Sequence, residues 1–207
     1  RGLVGSEMCI RDRNKARQFS FLIAFILLIA SVVSFEFRPT PWLTEGAIEF
    51  LTNFVEKNPN AKILEFGAGA STIWFTQKSV CLVSIEHDPV YYERVNQAIQ
   101  GINDNNSTTL QLVPRPYYTI CDAYPDNCFD LILIDGRDRS RCLLQSRRLV
   151  KPGGVIILDN AERSWYQKAI STLSTWNHVV SIQHQKDSCG FTYPNWQTHW
   201  WVKPIDQ

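Results

Sequence analysis

The sequence predicts an α/β protein built on a doubly wound, mainly parallel sheet, with an N-terminal hydrophobic helix ahead of it. Three observations carry that prediction. From residue 61 onward, short apolar runs alternate with amphipathic segments at the spacing of strand–helix–strand units. The first run, Lys62-Ile-Leu-Glu-Phe, is followed by Gly-Ala-Gly-Ala-Ser-Thr, a glycine turn that opens a helix. Four of the five runs end on a carboxylate, and in a parallel sheet strand ends are where ligands bind.

In chain order, residues 1–13 (Arg-Gly-Leu-Val-Gly-Ser-Glu-Met-Cys-Ile-Arg-Asp-Arg) read as translated sequencing-adapter sequence and are set apart from the fold. Residues 14–37 contain an uncharged stretch, Phe19–Phe35, preceded by Lys15 and Arg17. It is apolar on every side, which predicts a signal anchor or single transmembrane span; a cleaved signal peptide and a buried core helix are the alternatives. The positive-inside rule keeps its basic end cytoplasmic, which would place the following domain across the membrane; the side that domain occupies is left open. Residues 38–60 form a covering helix and linker. Thr40-Pro41 is a helix-start signal, Ile48, Leu51, Phe54 and Val55 recur at helical spacing, and Asn58-Pro59 stops the run.

Residues 61–207 make the main α/β domain. Strands are expected at Ile63–Phe66, Cys81–Ile85, Leu110–Val113, Leu131–Ile134 and Val155–Leu158. Helices are expected near Thr72–Gln77, Pro89–Gln100, Arg139–Leu149 and Glu162–Leu173. The runs Val179–Gln183 and Thr198–Val202 read as an antiparallel pair closing the sheet edge. The polar stretch Gly101–Thr109 carries overlapping N-x-S/T acceptors at Asn105 and Asn106.

Composition narrows the function classes. Lys+Arg number 21 against Asp+Glu 20, so bulk electrostatics give no case for a nucleic-acid partner. Seven Trp and eleven Phe argue against disorder. The six cysteines include no C-x-x-C pair, against a zinc ribbon or redox pair.

Strand ends give the candidate site. Gly67 and Gly69 let a ligand approach the backbone, and Ser71-Thr72 can cap the following helix. Glu65 repels a pyrophosphate and suits a ligand bearing an amino group. Glu86, 21 residues after Glu65, ends the second strand, where a carboxylate can accept both hydroxyls of a ribose. His87 follows it, and Asp88 before Pro89 reads as a helix cap. Asp135 ends the fourth strand and Asp159-Asn160 the fifth.

The acid-x-Gly-x-Gly run at Glu65, Gly67 and Gly69, with Glu86 downstream and Lys151-Pro-Gly-Gly before the fifth strand, resembles the class I S-adenosylmethionine (SAM)-dependent methyltransferases. The resemblance spans about residues 60–160. It implies SAM as cofactor, with Glu65, Gly67, Gly69, Ser71, Thr72, Glu86, His87 and Asp135 as cofactor-binding residues. Asp135 and Asp159 are the catalytic candidates. Asp135 would position the methionine part of the cofactor or the acceptor, and Asp159 would orient or deprotonate the acceptor. Asp135 with Asp159-Asn160 is similar to the cation-holding set of catechol-type O-methyltransferases. Arg137 and Arg139 stand beside it, however, and can neutralise the acids themselves, so no metal is expected.

The reaction expected is methyl transfer to an oxygen or nitrogen of a small molecule or glycan. Trp165-Tyr166 and Cys189–Trp196 are aromatic enough to line an acceptor pocket, though core packing competes for them. Two rivals stand beside this reading. A nicotinamide-dependent oxidoreductase wants a third glycine where Thr72 stands, and a non-catalytic, membrane-tethered SAM-binding module would keep the site without turnover.

Overall fold

The computed structural model describes residues 40–102, 108–186 and 192–205. The apolar stretch Phe19–Phe35 and the acceptors Asn105 and Asn106 lie outside these. Among the described residues no helix is long and apolar enough to cross a membrane.

A seven-stranded sheet organises the rest. Strands β1 (Lys62–Phe66), β2 (Cys81–Glu86), β3 (Thr108–Leu112), β4 (Phe129–Ile134) and β5 (Val150–Asp159) are parallel. β6 (Asn177–Lys186) and β7 (Thr192–Val202) form an antiparallel hairpin that joins β5 through β7. The order is β3-β2-β1-β4-β5-β7-β6. The chain therefore reverses direction in the sheet beside β1, the place where such sheets open a crevice.

Both faces are covered, which is why the central strands are apolar at nearly every position. Leu131 and Leu133 of β4 point to one side with Ile63, Val155 and Ile157. There they meet helix α1 (Glu45–Lys57), through Ala47, Leu51 and Val55, and helix α2 (Ala70–Thr76), through Trp74 and Phe75. Ile132 and Ile134 point to the other side with Leu64, Phe66, Ile156 and Leu158. That side is closed by Cys142 and Leu143 of helix α4 (Arg139–Ser146), by Ala169 of the short helix α5 (Gln167–Ile170), and by Tyr117. Each fully buried Leu, Ile or Phe here contributes about 1.5–3 kcal/mol. Helix α3 (Pro89–Gln100) links β2 to β3.

Several boundaries differ from expectation for identifiable reasons. α1 starts at Glu45 behind Thr44, not at Pro41, because residues 41–43 run irregularly and carry Leu43 into the core. α2 starts at Ala70, so Ser71 and Thr72 sit inside its first turn, and the Gly69 N–H donates to Thr72 Oγ1 at 2.8 Å. The helix expected over Glu162–Leu173 breaks into α5 flanked by 3₁₀ turns at Ser164–Tyr166 and Ser171–Leu173. Ser171 and Thr172 hydroxyls donate to the Lys168 and Ala169 carbonyls there, competing with a continuous helix. β5 begins earlier, at Val150, with an irregular register through Lys151-Pro-Gly-Gly, where Pro152 is tolerated.

Candidate functional site

The site is built at the ends of β1, β2, β4 and β5. Glu65 on β1 is fully buried, and three hydroxyls close around it. Ser71 Oγ donates to Oε1, Thr72 Oγ1 donates to Oε2 at 2.6 Å, and Ser84 Oγ donates to Oε2. Burial pushes the carboxyl from its ordinary 4.5 up to about 7, against the pull of the three hydroxyls, with the charge of Glu86 adding to the rise. Glu65, Ser71 and Thr72 are thus brought together as a buried bracket that ties the glycine turn to β2. The oxygens of Glu65 face these hydroxyls, so its influence on a ligand runs through the shape of the turn.

Gly67 has φ +98°, and a Cβ there would lie 2.5 Å from Gly136 Cα. The missing side chain makes room for the β4 turn, so packing by itself requires glycine here. The Asp135 N–H donates to the Phe66 carbonyl at 3.0 Å and the Gly67 N–H to the Ile85 carbonyl at 2.9 Å, locking three strand ends together. Gly69 is different. Its backbone is extended, and a Cβ would sit 3.4 Å from Tyr91 Oη, so α3 places a phenol over this part of the turn.

Glu86 ends β2 and is 4% exposed. Its Oε1 takes the N–H groups of His87 at 2.7 Å and Asp88 at 2.8 Å and lies 2.8 Å from His87 Nδ1, while Oε2 takes the Ala68 N–H at 3.2 Å. Oε1 is saturated, and the unused acceptor capacity is on Oε2. One hydrogen bond to a ribose therefore fits better than the bidentate pair expected. The His87 ring stacks on Tyr117 with centroids 5.5 Å apart. Tyr117 in turn donates its hydroxyl to the Arg137 carbonyl at 2.7 Å, fixing the β4 turn from below. Asp88 caps α3, accepting from the Val90 and Tyr91 N–H groups at 2.9 Å, and the bond from Tyr91 heads the causes that hold its pKa low.

The acids of β4 and β5 converge on Arg139. Its Nη2 donates to Asp135 Oδ1 at 2.9 Å and to the Asp135 carbonyl at 2.7 Å. Nη1 donates to Asn160 Oδ1 at 3.1 Å and to the Asp159 carbonyl, and it lies 3.5 Å from Asp159 Oδ2. Nε donates to the Gly136 carbonyl at 2.8 Å. Asp159 is 3% exposed, and its Oδ1 also accepts Trp196 Nε1–H at 2.9 Å and Thr198 Oγ1–H at 2.7 Å. The Asp135 side chain is 24% exposed. Burial, then the neighbouring Asp159, raises the Asp135 pKa well above the carboxylate range despite Arg139, and burial raises Asp159 as well. Asp135 is the accessible acid of the pair, and Asp159 is the enclosed one. Arg137 is exposed, and its side chain takes no part in this cluster.

Among the described residues no cluster of three or more His, Cys, Asp or Glu side chains is arranged to hold a metal ion.

No protein-family model matches the chain, and no curated protein matches it. Solved structures do. A precorrin-6y C5,15-methyltransferase from Geobacter metallireducens aligns over 82% of this chain and 95% of its own at 18% identity, TM-score 0.60. An O-methyltransferase from Bacillus cereus, in complex with SAH, aligns over 87% and 89% at 18% identity, TM-score 0.58. A tRNA (m1A58) methyltransferase from Aquifex aeolicus aligns over 83% and 73% at 15% identity, TM-score 0.59. The chain has the class I methyltransferase fold. Within it, the strand ends carrying Glu65, Glu86, Asp135 and Asp159 all open at one end of the sheet.

Several participants were missed in the sequence. Ser84 was visible as the lone hydroxyl in Cys-Leu-Val-Ser-Ile-Glu, a polar residue in an apolar strand. Tyr91, Tyr117 and Thr198 carried no signal. Trp196, which the sequence leaves between pocket and core, is buried against Asp159, while Trp165 is 67% exposed.

Proposed function

We propose that the protein is a SAM-dependent methyltransferase that methylates an oxygen or nitrogen of a small molecule or glycan. The observation that carries this reading is the carboxylate lining of the crevice in a class I methyltransferase fold. Asp135 is the most exposed of the four acids at these strand ends, and Glu86, Glu65 and Asp159 are buried beside it, against one guanidinium. Such a lining favours a cationic sulfonium and ammonium over a dinucleotide pyrophosphate.

The donor set fits SAM. Glu86 Oε2 has acceptor capacity for a ribose hydroxyl, His87 offers a ring face beside it, and Asp135 faces the crevice as a partner for an ammonium. When bound, SAM supplies an electrophilic methyl group. The chain's own residues position the acceptor and manage its proton. Asp135 is the more accessible acid of the pair and burial raises its pKa, which makes it the stronger base for the proton released by an acceptor hydroxyl or amine. Asp159 holds the floor beneath it. This assigns the proton to Asp135, for which the sequence predicts positioning, and leaves Asp159 the orienting half of its expected role.

Calorimetry on the full chain tests the reading. S-adenosylhomocysteine should bind and NAD⁺ should not. Glu86→Ala should weaken binding by about 1.5–3 kcal/mol, the usual loss for a hydrogen bond to a charged group. Binding of NAD⁺ without S-adenosylhomocysteine would replace this proposal with an oxidoreductase.

A further inference from the structure

Among the described residues Arg139 is the one buried lysine or arginine, at 9% exposure, and its surroundings are unusual in stoichiometry. A guanidinium carries five N–H donors. Here five acceptors meet them: the carbonyls of Asp135, Gly136 and Asp159, Asp135 Oδ1 and Asn160 Oδ1. Asp159 Oδ2 lies 3.5 Å away as a sixth oxygen. Two carboxylates and an amide oxygen from adjacent strand ends are also a donor set that a divalent cation accepts.

A metal and this side chain exclude one another. An ion held by Asp135, Asp159 and Asn160 would occupy the volume of the guanidinium. Expelling the arginine would strip three backbone carbonyls of their partner, each a desolvated acceptor left unpaired. The turn preceding α4 also commits the arginine inward. Asp138 takes a left-handed φ of 50°, is clamped by Arg115 at 2.6 Å, and aims the Arg139 side chain back across the Gly136 carbonyl.

We propose that the Arg139 guanidinium is the resident cation of this site, filling the position a divalent metal would take, and that it is a positioning residue holding Asp135 at the crevice. The consequence for substrate rests on the methyltransferase reading above. A cation with every donor satisfied has no open coordination position, so the acceptor is not chelated. The site then suits acceptors with a single nucleophilic oxygen or nitrogen facing Asp135, not vicinal hydroxyl pairs.

Manganese binding tests the cation assignment separately from the cofactor. Mn²⁺ is titrated into the full chain and followed by electron paramagnetic resonance, for wild type, Arg139→Ala, Arg139→Lys and the double variant Arg139→Ala/Asp135→Asn. Arg139→Ala should take up one Mn²⁺ per chain at least about tenfold more tightly than wild type, because removing a fixed positive charge leaves the acids uncompensated. The double variant should lose that uptake, and Arg139→Lys should resemble wild type. Should Arg139→Ala fail to fold, Arg139→Gln replaces it, and Mn²⁺ should raise the melting temperature of that variant but not of wild type. Stoichiometric, Asp135-dependent Mn²⁺ binding by wild type would overturn the proposal. So would an arginine-free variant that gains no affinity and no thermal shift. S-adenosylhomocysteine calorimetry on the same samples keeps the two questions apart: loss of cofactor binding with the manganese pattern intact refutes the methyltransferase reading alone.

Discussion

Glu65 shows what one buried carboxyl does to a protein of this kind. Its proton is bound more tightly in the folded chain than in the unfolded one, so the stability it confers is full below about pH 4.5 and is lost as pH rises through about 7. A rise from 4.5 to about 7 corresponds to roughly 3 kcal/mol. Glu65→Gln, with hydroxyls free to rotate around the amide, should remove that slope. Urea unfolding at pH 5 and pH 8 should show wild type losing more stability than the variant by up to that amount. Equal losses in the two proteins would mean that Glu65 ionises elsewhere than in this bracket. Asp159 is held differently, by Trp196 and Thr198 on one oxygen. Thr198→Val keeps the shape and removes the donor. The Thr44 N–H, which donates to Thr198 Oγ1 at 3.2 Å, loses its acceptor too, so the expected cost is about 1–3 kcal/mol in chemical denaturation.

At the scale of elements, the turns after β1 and β4 act as one unit. Gly67→Ala places a Cβ against Gly136 backbone in a left-handed conformation, and neither turn has a flexible side chain that can yield. Destabilisation above about 2 kcal/mol is expected, with S-adenosylhomocysteine affinity falling in whatever fraction stays folded; a melting temperature equal to wild type would refute the contact. Gly69→Ala meets only Tyr91 Oη at ordinary distance and should leave stability nearly unchanged while altering ligand affinity. These elements were differently legible in the sequence. β1, β2 and β4 are legible because strands covered on both faces are apolar at nearly every position. Their terminal acids were found by counting to the strand ends. The partners of those acids were not found, because pairing is non-local: Ser84 reaches Glu65 across 19 residues, and Trp196 and Thr198 reach Asp159 across 37 and 39. The helix over Glu162–Leu173 misled because apolar periodicity does not register the hydroxyls of Ser171 and Thr172 that compete for its carbonyls.

At the scale of the whole molecule, among the described residues both core layers and every site residue lie at or beyond Leu43. A chain beginning at Arg38 should therefore fold and bind S-adenosylhomocysteine as the full chain does, whatever role Phe19–Phe35 has at a membrane. Aggregation of that shortened protein would assign the apolar stretch to the fold instead.

The sheet order has a further consequence for how such a chain is made. β7 follows β6 in the sequence yet lies between β6 and β5. Its Trp200 and Trp201 face opposite core layers. A ribosome delivering the polypeptide from its N-terminus thus exposes the edge of β5 and leaves both layers unsealed until those two indoles emerge. β6 must wait as well, since it pairs with β7 alone. Nascent chains arrested before Trp200 are the ones that chaperones should retain, because an unpaired hydrophobic edge is a template for association.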